Sequence, residues 1–338
     1  MRRRTLLILI MLSALAGGVW FVSRPQRVGP AAGTTIEGRV LRQAEPRESL
    51  RIGTFNIHGC TGADDRRDVA RVARCLGDLD FAALNEVHGA RPWENADQAA
   101  LLGRRLGMQW LFAPATRDWH CVDFGNGLVT KLPVESWQRM PLAASNGRSY
   151  RNAVLVRLRF HDETVQVLLT HIARSDEATR RAELHEVIDD YLSLPAPAIL
   201  LGDLNSEAGE PELRRLLAVP DVIDAVGRKL GVAAPPRIDW IFVRGLRVLD
   251  AGLRDEGASD HPLAWAEVAP RTKDEGGRRK AESDSSFSLP PSFPRVVECR
   301  YFLNPFFACH PIFNPNPRRI IARSAFGPCS ASSSPWAR

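Results

Sequence analysis

The sequence runs to 338 residues, 44% hydrophobic and 25% charged, with 25 glycines and 24 prolines; this composition excludes a collagen-like repeat, a wholly disordered chain and a polytopic membrane protein. A formal net charge of +6 suggests a nucleic-acid or membrane partner until it is divided by region. Residues 50–268 carry 26 Lys+Arg against 31 Asp+Glu, whereas residues 1–49 carry 8 against 3 and residues 271–338 carry 11 against 5, so the ends supply the positive excess and the body is mildly acidic. A broad basic footprint of the kind that tracks a phosphate backbone is disfavoured.

Arg2, Arg3 and Arg4 precede an uncharged apolar run from Thr5 to Val22, closed by Ser23 and Arg24. At a helical rise of 1.5 Å per residue such a run spans about 27 Å, close to the hydrocarbon thickness of a bilayer. Residues 1–24 are therefore expected to be a membrane anchor with its arginines cytoplasmic and the body exported, periplasmic or extracellular. The rival is a signal peptide cut after Ala14-Leu15-Ala16, which would release a secreted protein. Cleavage there would leave an apolar new terminus, which slightly favours the anchor. Residues 25–49, rich in Pro and Gly, read as a linker.

Residues 50–269 hold the periodic sequence. Leu50 to Ile57 alternates as a strand, Asp65 to Leu76 places Val69, Val72, Ala73 and Leu76 on one helical face, and Phe81 to Leu84 is a short buried strand. Ala96 to Leu106 is a helix stopped by Gly107, and Gly127 to Thr130 a strand before Pro133. Ala153 to Phe160 and Thr164 to Thr170 form a hairpin across His161-Asp162-Glu163. Asp176 to Leu192 is the longest helix of the body, Ala198 to Leu201 a strand, and Pro211 to Leu217 a helix with Pro at its first turn. Ile238 to Val243 and Leu263 to Val268 complete the strands. Hairpins among helices predict a mixed or antiparallel α+β sheet. Residues 270–338 change texture, with nine prolines after Pro270, seven phenylalanines and no period, and read as a disordered tail, compatible with partner binding or with a non-native extension of the reading frame. Six scattered cysteines without CxxC spacing disfavour structural zinc; a Cys60–Cys121 bridge is conceivable after export, with free buried thiols the default.

Polar residues collect where these strands end or begin. Asn56 ends the first, Asn85-Glu86 follows the second, Thr170-His171 ends the hairpin, and Gly202-Asp203-Leu204-Asn205 follows Ala198 to Leu201. Asp239 opens Ile238 to Val243, and Ser259-Asp260-His261 precedes the last strand. Each alone is commonly a turn residue or a satisfied histidine. Together they mark a site on a rigid scaffold.

In order, TFNIHG (54–59), LNEV (84–87), GNGLVTKLPV (125–134), LLTHI (168–172), ILLGDLN (199–205), RIDWIFV (237–243) and SDHPL (259–263) resemble the endonuclease/exonuclease/phosphatase superfamily of metal-dependent phosphoesterases, which includes DNase I-like nucleases, inositol-polyphosphate phosphatases and sphingomyelinases. The resemblance implies a four-layer α/β sandwich, two mixed sheets face to face with helices outside, and a site at one end. It implies Glu86 as principal metal ligand, assisted by Asn56 and Asp260, with Asp203 activating water and Asn205 holding the phosphoryl group. His261 would contact the scissile phosphate, with Asp239 fixing its tautomer, and His171 would sit near the leaving group. Asn126 and Arg151 are secondary phosphate-contact candidates, for which solvated or capping roles compete. Oxygen ligands favour Mg²⁺, with Mn²⁺ or Ca²⁺ possible. His58, His88, His120, His161 and His185 match no role. Asn85 stands where the family commonly has Gln, and Asp123 is the one unplaced candidate for a carboxylate beside the first histidine.

The expectation is an exported, membrane-tethered phosphoesterase acting on nucleic acid or on a phospholipid or small phosphoester. A catalytically dead binding module on the same scaffold is the alternative.

Overall fold

The computed structural model describes residues 3–22, 24–38, 48–91, 94–117, 122–145, 150–174, 176–231 and 234–271. The expected tail, Cys121 and His120 lie outside them. The amino terminus forms α1 (Arg3–Val22). Its side chains are described from Ile10 to Val19, and Ile10, Met11, Leu12, Leu15 and Val19 are all exposed. Among the described residues no helix is long and apolar enough to cross a membrane.

The stretch expected to be a linker contributes two short strands, β1 (Gln26–Arg27) and β2 (Ala31–Gly33). The body follows as β3 (Leu50–Asn56), α2 (Val69–Leu76), β4 (Phe81–His88), α3 (Gln98–Leu106), β5 (Gln109–Arg117), β6 (Phe124–Thr130), β7 (Val134–Pro141), β8 (Asn152–Phe160), β9 (Glu163–His171), α4 (Glu177–Ser193), β10 (Ala198–Asp203), α5 (Pro211–Leu217), β11 (Ile223–Asp224), α6 (Ala225–Leu230), β12 (Asp239–Arg244), β13 (Leu246–Arg254) and β14 (Leu263–Pro270). Side-chain caps set the helix starts: Asp68 accepts from Ala70 and Arg71 N–H, Asp97 from Ala100 N–H and Asp176 from Thr179 N–H. Gly107, left-handed at φ 66°, ends α3 as expected.

The strands form two mixed seven-stranded sheets, ordered β1-β5-β6-β4-β3-β14-β13 and β11-β12-β10-β9-β8-β7-β2. Their facing sides make one core, with Ile52, Phe81, Leu128, Val156, Val167, Leu201, Ile241 and Ala266 among its members. The outer face of the first sheet is covered by α2 and α3 through Val72, Leu76, Ala99 and Leu102. The outer face of the second is covered by α4 and α5 through Leu184, Val187, Ile188 and Leu213. The result is the expected four-layer sandwich. Cys60 and Cys75 are free buried thiols.

Residues 26–37 form a strap along one open side of the sandwich. Gln26 and Arg27 pair with Arg117 and Thr116 of β5, Ala31–Gly33 pair with Arg139–Trp137 of β7, and Glu37 returns to bridge Trp110 of β5. Arg27 Nη2 also donates to the carbonyls of Leu142 and Ser145, at 2.9 and 2.7 Å, fixing the turn between β7 and β8.

Candidate active site

Successive side chains of a strand alternate between faces, so each strand's core-facing set is fixed by parity. On β3, β4, β6, β8, β9, β10 and β12 that set is apolar along most of the strand and turns polar at one end of the sandwich. Leu50 and Ile52 lead to Asn56, Phe81 and Ala83 to Asn85, Val167 and Leu169 to His171, and Ile199 and Leu201 to Asp203. On β6, β8 and β12 the same switch separates Leu128 from Asn126, Val154 from Asn152 and Ile241 from Asp239. Register aligns these ends: Asn56 lies beside Asn85, and Asp203 lies between His171 and Asp239.

Glu86 is aimed by a backbone irregularity. On β4 Leu84 pairs with Gly127 and Val87 with Gly125, so Asn85 and Glu86 together oppose Asn126, and Glu86 adopts φ 56°. That bulge turns Glu86 out of the strand alternation, at a backbone cost of about 1–3 kcal/mol. Asn56 then joins the sheets, its Nδ2 donating to Glu86 Oε1 at 3.2 Å and to Asp203 Oδ2 at 3.0 Å.

Beneath these groups runs a ladder of buried amides. Asn85 accepts the Asp203 N–H at 3.0 Å and donates to Asn126 Oδ1 at 2.8 Å and to the Thr170 carbonyl at 3.0 Å. Asn126 donates in turn to the carbonyl and Oδ1 of Asn152, which donates to the Ala113 carbonyl. Asn126, expected as a phosphate contact, thus has its amide committed to holding the sheets in register. The Asn85 amide, shorter than the family's usual Gln, reaches all three of its partners.

Asp203 is the hub. Its Oδ1 accepts the Asn205 N–H at 2.9 Å, and its Oδ2 lies 3.5 Å from His171 Nε2 and 3.9 Å from His261 Nε2. Burial and the Asp239 charge raise its pKa to about 6, against the pull of His261. His261 Nδ1 lies 2.7 Å from Asp239 Oδ2. Burial works against its protonation, but the hydrogen bond and charge of Asp239, with Asp203 and Asp260 beyond, outweigh it and raise His261 to about 9. His171 is the opposite case: burial, then the charges of Arg151 and His261, hold it well below the ordinary histidine range and keep it neutral. Asn205, left-handed at φ 45°, donates to the Ile172 carbonyl at 2.8 Å, with its Nδ2 3.2 Å from His171 Nε2. His171 Nε2 thus lies within reach of both Asn205 Nδ2 and Asp203 Oδ2, and its Nδ1 is buried without a partner.

Asp260 is exposed, anchored through Ser259, whose Oγ donates to the Asn56 carbonyl at 2.7 Å. Asp260 Oδ1 lies 3.6 Å from His58 Nδ1, so His58, given no role from sequence, stands at the rim. Its place two residues after Asn56 was the available signal. Phe124, also missed, lies between His88 and His171, with ring centroids at 5.8 and 6.5 Å, and carries the Arg151 guanidinium at 5.5 Å from its centroid. Arg151 Nε is buried without a partner, and the charges of Glu183, Glu86 and Asp203 act on the side chain. Asp123 pairs with Arg117 at 3.4 Å.

Gly202 is required by the approach of β9. At φ 146°, a Cβ there would stand 1.9 Å from the Thr170 carbonyl oxygen. Gly202→Ala is expected to destabilise the protein by about 3 kcal/mol, since backbone must move to relieve the overlap; a urea midpoint equal to wild type would refute this.

One oxygen each from Asp203 and Asp239 and one His261 ring nitrogen lie within 4.8 Å of one another and could hold a metal ion. His261 is protonated at neutral pH, however, and presents an N–H to Asp203 where a ligand would need a lone pair. Glu86, Asn56 and Asp260 offer hard oxygens beside this cluster. Asp239 Oδ1 is buried without a partner, and four carboxylates, Glu86, Asp203, Asp239 and Asp260, around the one His261 imidazolium leave an anionic excess that fits a divalent cation.

The fold matches known proteins. The model of the endonuclease/exonuclease/phosphatase family matches residues 53–261, more than half of the chain. The structure of an endonuclease/exonuclease/phosphatase from Beutenbergia cavernae DSM 12333 is similar at 21% identity and TM-score 0.55, over 66% of this chain and 72% of that one. One from Bacteroides vulgatus is similar at 17% identity and TM-score 0.54, over 67% and 100%. Humanized D. rerio TDP2 carrying 14 mutations is similar at 20% identity and TM-score 0.50, over 66% and 99%. No curated protein matches the sequence. With the family match spanning every segment from Gly53 to His261, the chain belongs to the endonuclease/exonuclease/phosphatase family.

Proposed function

We propose that the protein is a divalent-metal-dependent phosphoesterase that hydrolyses phosphodiester or phosphomonoester bonds through an activated water. The observation that carries this reading is the Asp203 carboxylate, held between Asn56, His171 and a His261 imidazolium that Asp239 keeps charged. Glu86, with Asn56 and Asp260, would hold Mg²⁺, or Mn²⁺ or Ca²⁺ by the same oxygen chemistry. The bound ion supplies neutralisation of charge building on the phosphoryl oxygens. Asp203 takes the proton of the attacking water, and Asn205 holds the phosphoryl group. The His261 imidazolium donates to a nonbridging oxygen, and neutral His171 stands beside Asp203 near the leaving oxygen. Arg151, half-buried with its guanidinium over the Phe124 ring, is the cation on hand for the substrate phosphate.

Tethering through residues 5–22 with the catalytic domain outside the cytoplasm, or secretion after cleavage at Ala16, rests on the uncharged run from Thr5 to Val22 behind three arginines. Two substrate classes fit: nucleic acid, and a phospholipid or small phosphoester. Rates on DNA, RNA, phosphatidylinositol phosphates and sphingomyelin separate them.

The test of the enzyme reading is hydrolysis of a chromogenic phosphodiester with and without EDTA. Turnover is expected to vanish with EDTA and in His261→Ala, and metal-independent turnover would overturn the reading in favour of another chemistry. No turnover under any metal would favour the inactive binding module. The rate is expected to rise through about pH 6 as Asp203 ionises and to fall through about pH 9 as His261 loses its proton. Asp239→Asn removes the anion that sustains the imidazolium, so the upper limb is expected to move down toward pH 6.5; an unmoved limb would detach it from His261.

A further inference from the structure

Arg151 reaches the site from the residue before β8, its carbonyl accepting the Leu142 N–H at 3.0 Å. Its own N–H is held by way of Glu183, on the second turn of α4 and fully buried on the outer side of the second sheet. Its Oε1 accepts from Ser145 Oγ at 2.5 Å, and that same Oγ accepts the Arg151 N–H at 2.9 Å. Its Oε2 accepts the Ala173 N–H at 2.7 Å, two residues beyond His171. One buried carboxylate therefore ties together the two chain segments that deliver Arg151 and His171. The turn bearing Ser145 is gripped from the far side by Arg27.

A hydrophobic helix face has little reason to carry such a group. Its neighbours Leu184, Val187, Ile188 and Tyr191 are apolar and buried, and an acid among them carries a desolvation penalty that burial registers by raising its pKa. Ala173 N–H and Ser145 Oγ would find partners more cheaply in an amide. What a carboxylate adds is acceptance on both oxygens at once, with a charge opposed to the Arg151 guanidinium, which makes no ion pair of its own among the described residues.

Resting on the phosphoesterase reading, we infer that Glu183 is a positioning residue: through Ser145 it sets the Arg151 guanidinium at the place of the substrate phosphate, and through Ala173 it sets His171 against Asp203. Glu183 touches no reacting atom. It acts by fixing where two other side chains stand, and a displacement of about 1 Å in such groups costs up to about 100-fold in rate.

The test uses Glu183→Gln, Ser145→Ala, Arg151→Ala and the double variant Glu183→Gln/Arg151→Ala in the full chain, with inorganic phosphate as the binding probe by calorimetry and the chromogenic phosphodiester for rate. Glu183→Gln and Ser145→Ala are each expected to weaken phosphate binding and to lower kcat/KM by about tenfold, largely through KM. In the Arg151→Ala background, Glu183→Gln is expected to change phosphate binding little further, because the group it positions is gone. Wild-type phosphate affinity and kcat/KM in folded Glu183→Gln, or full additivity with Arg151→Ala, would overturn the inference. If Glu183→Gln does not fold, Ser145→Ala decides by the same criteria. Wild-type protein that binds phosphate in a Glu183-dependent way but hydrolyses nothing would sink the phosphoesterase reading and leave this one standing. Protein that neither binds phosphate nor hydrolyses the diester would sink both.

Discussion

Asp203→Asn is expected to lower kcat by about 10³-fold, the scale of losing a positioned general base, while leaving the metal-free protein at least as resistant to urea as wild type. The two halves of this result have one cause. Asp203 is an anion held in a buried place beside a second buried anion, Asp239, directly across the β10–β12 ladder, and like charges in that position repel. The strain serves the reaction, because a carboxylate raised to about 6 is a better proton acceptor than an ordinary aspartate and is still ionised at neutral pH. An amide of the same size removes the repulsion and the base; it also gives up one acceptor, since Oδ1 and Oδ2 both accept hydrogen bonds, and the relief of repulsion is expected to offset that loss. Kinetics with and without saturating Mg²⁺, paired with urea unfolding in EDTA, check it. An Asp203→Asn protein that keeps within tenfold of wild-type kcat would remove Asp203 from the reaction. One that loses activity only because it unfolds would make the residue structural.

Glu86→Gln is expected to weaken Mg²⁺ binding by roughly 100-fold, about 2.8 kcal/mol, with little change in folding stability. Glu86 is partly exposed, stands at a bulge, and among the described residues its side chain accepts one hydrogen bond, from Asn56. Removing its charge therefore takes little from the fold and a full ligand charge from the ion. The substitution also leaves Asn56 bonded to Asp203, so the bridge between the sheets survives. Isothermal titration with Mg²⁺ is the measurement, and unchanged affinity would transfer the ion to the Asp203–Asp239–His261 group.

The sequence predicts the strands that alternate cleanly and misses those that do not. Leu50 to Ile57, Ala153 to Phe160 and Thr164 to Thr170 lie within a residue or two of the observed β3, β8 and β9. The three body strands of full length left unread are β5, β7 and β13, and each carries a register shift, between Pro114 and Thr116, Val134 and Ser136, and Val248 and Asp250. An extra residue inverts the parity of everything after it, so a period-2 reading fails where the bulge sits. The expected strand Phe81 to Leu84 stops short for the same reason, at the bulge that aims Glu86. Asp203, His171, Asp239 and His261 were legible because each borders a well-formed strand and matches a family segment. Glu183 was not, since a charged residue on an amphipathic helix reads as solvent-facing, and only tertiary packing buries it. Arg27 was hidden in a stretch whose prolines and glycines read as unstructured, and its value lies in backbone pairing, which composition does not record.

The strap has a consequence for how copies of this protein meet one another. A sheet edge is a row of unpaired amides and carbonyls that any extended chain can join, and such edges template aggregation. Residues 26–37 occupy one edge of each sheet, leaving no long stretch of β5 or β7 bare on that side. The polypeptide emerging from the amino-terminal helix is thus its own edge guard. A shortened chain beginning at residue 50 would lose that cover from both sheets at once, and with it the protection against edge-to-edge stacking.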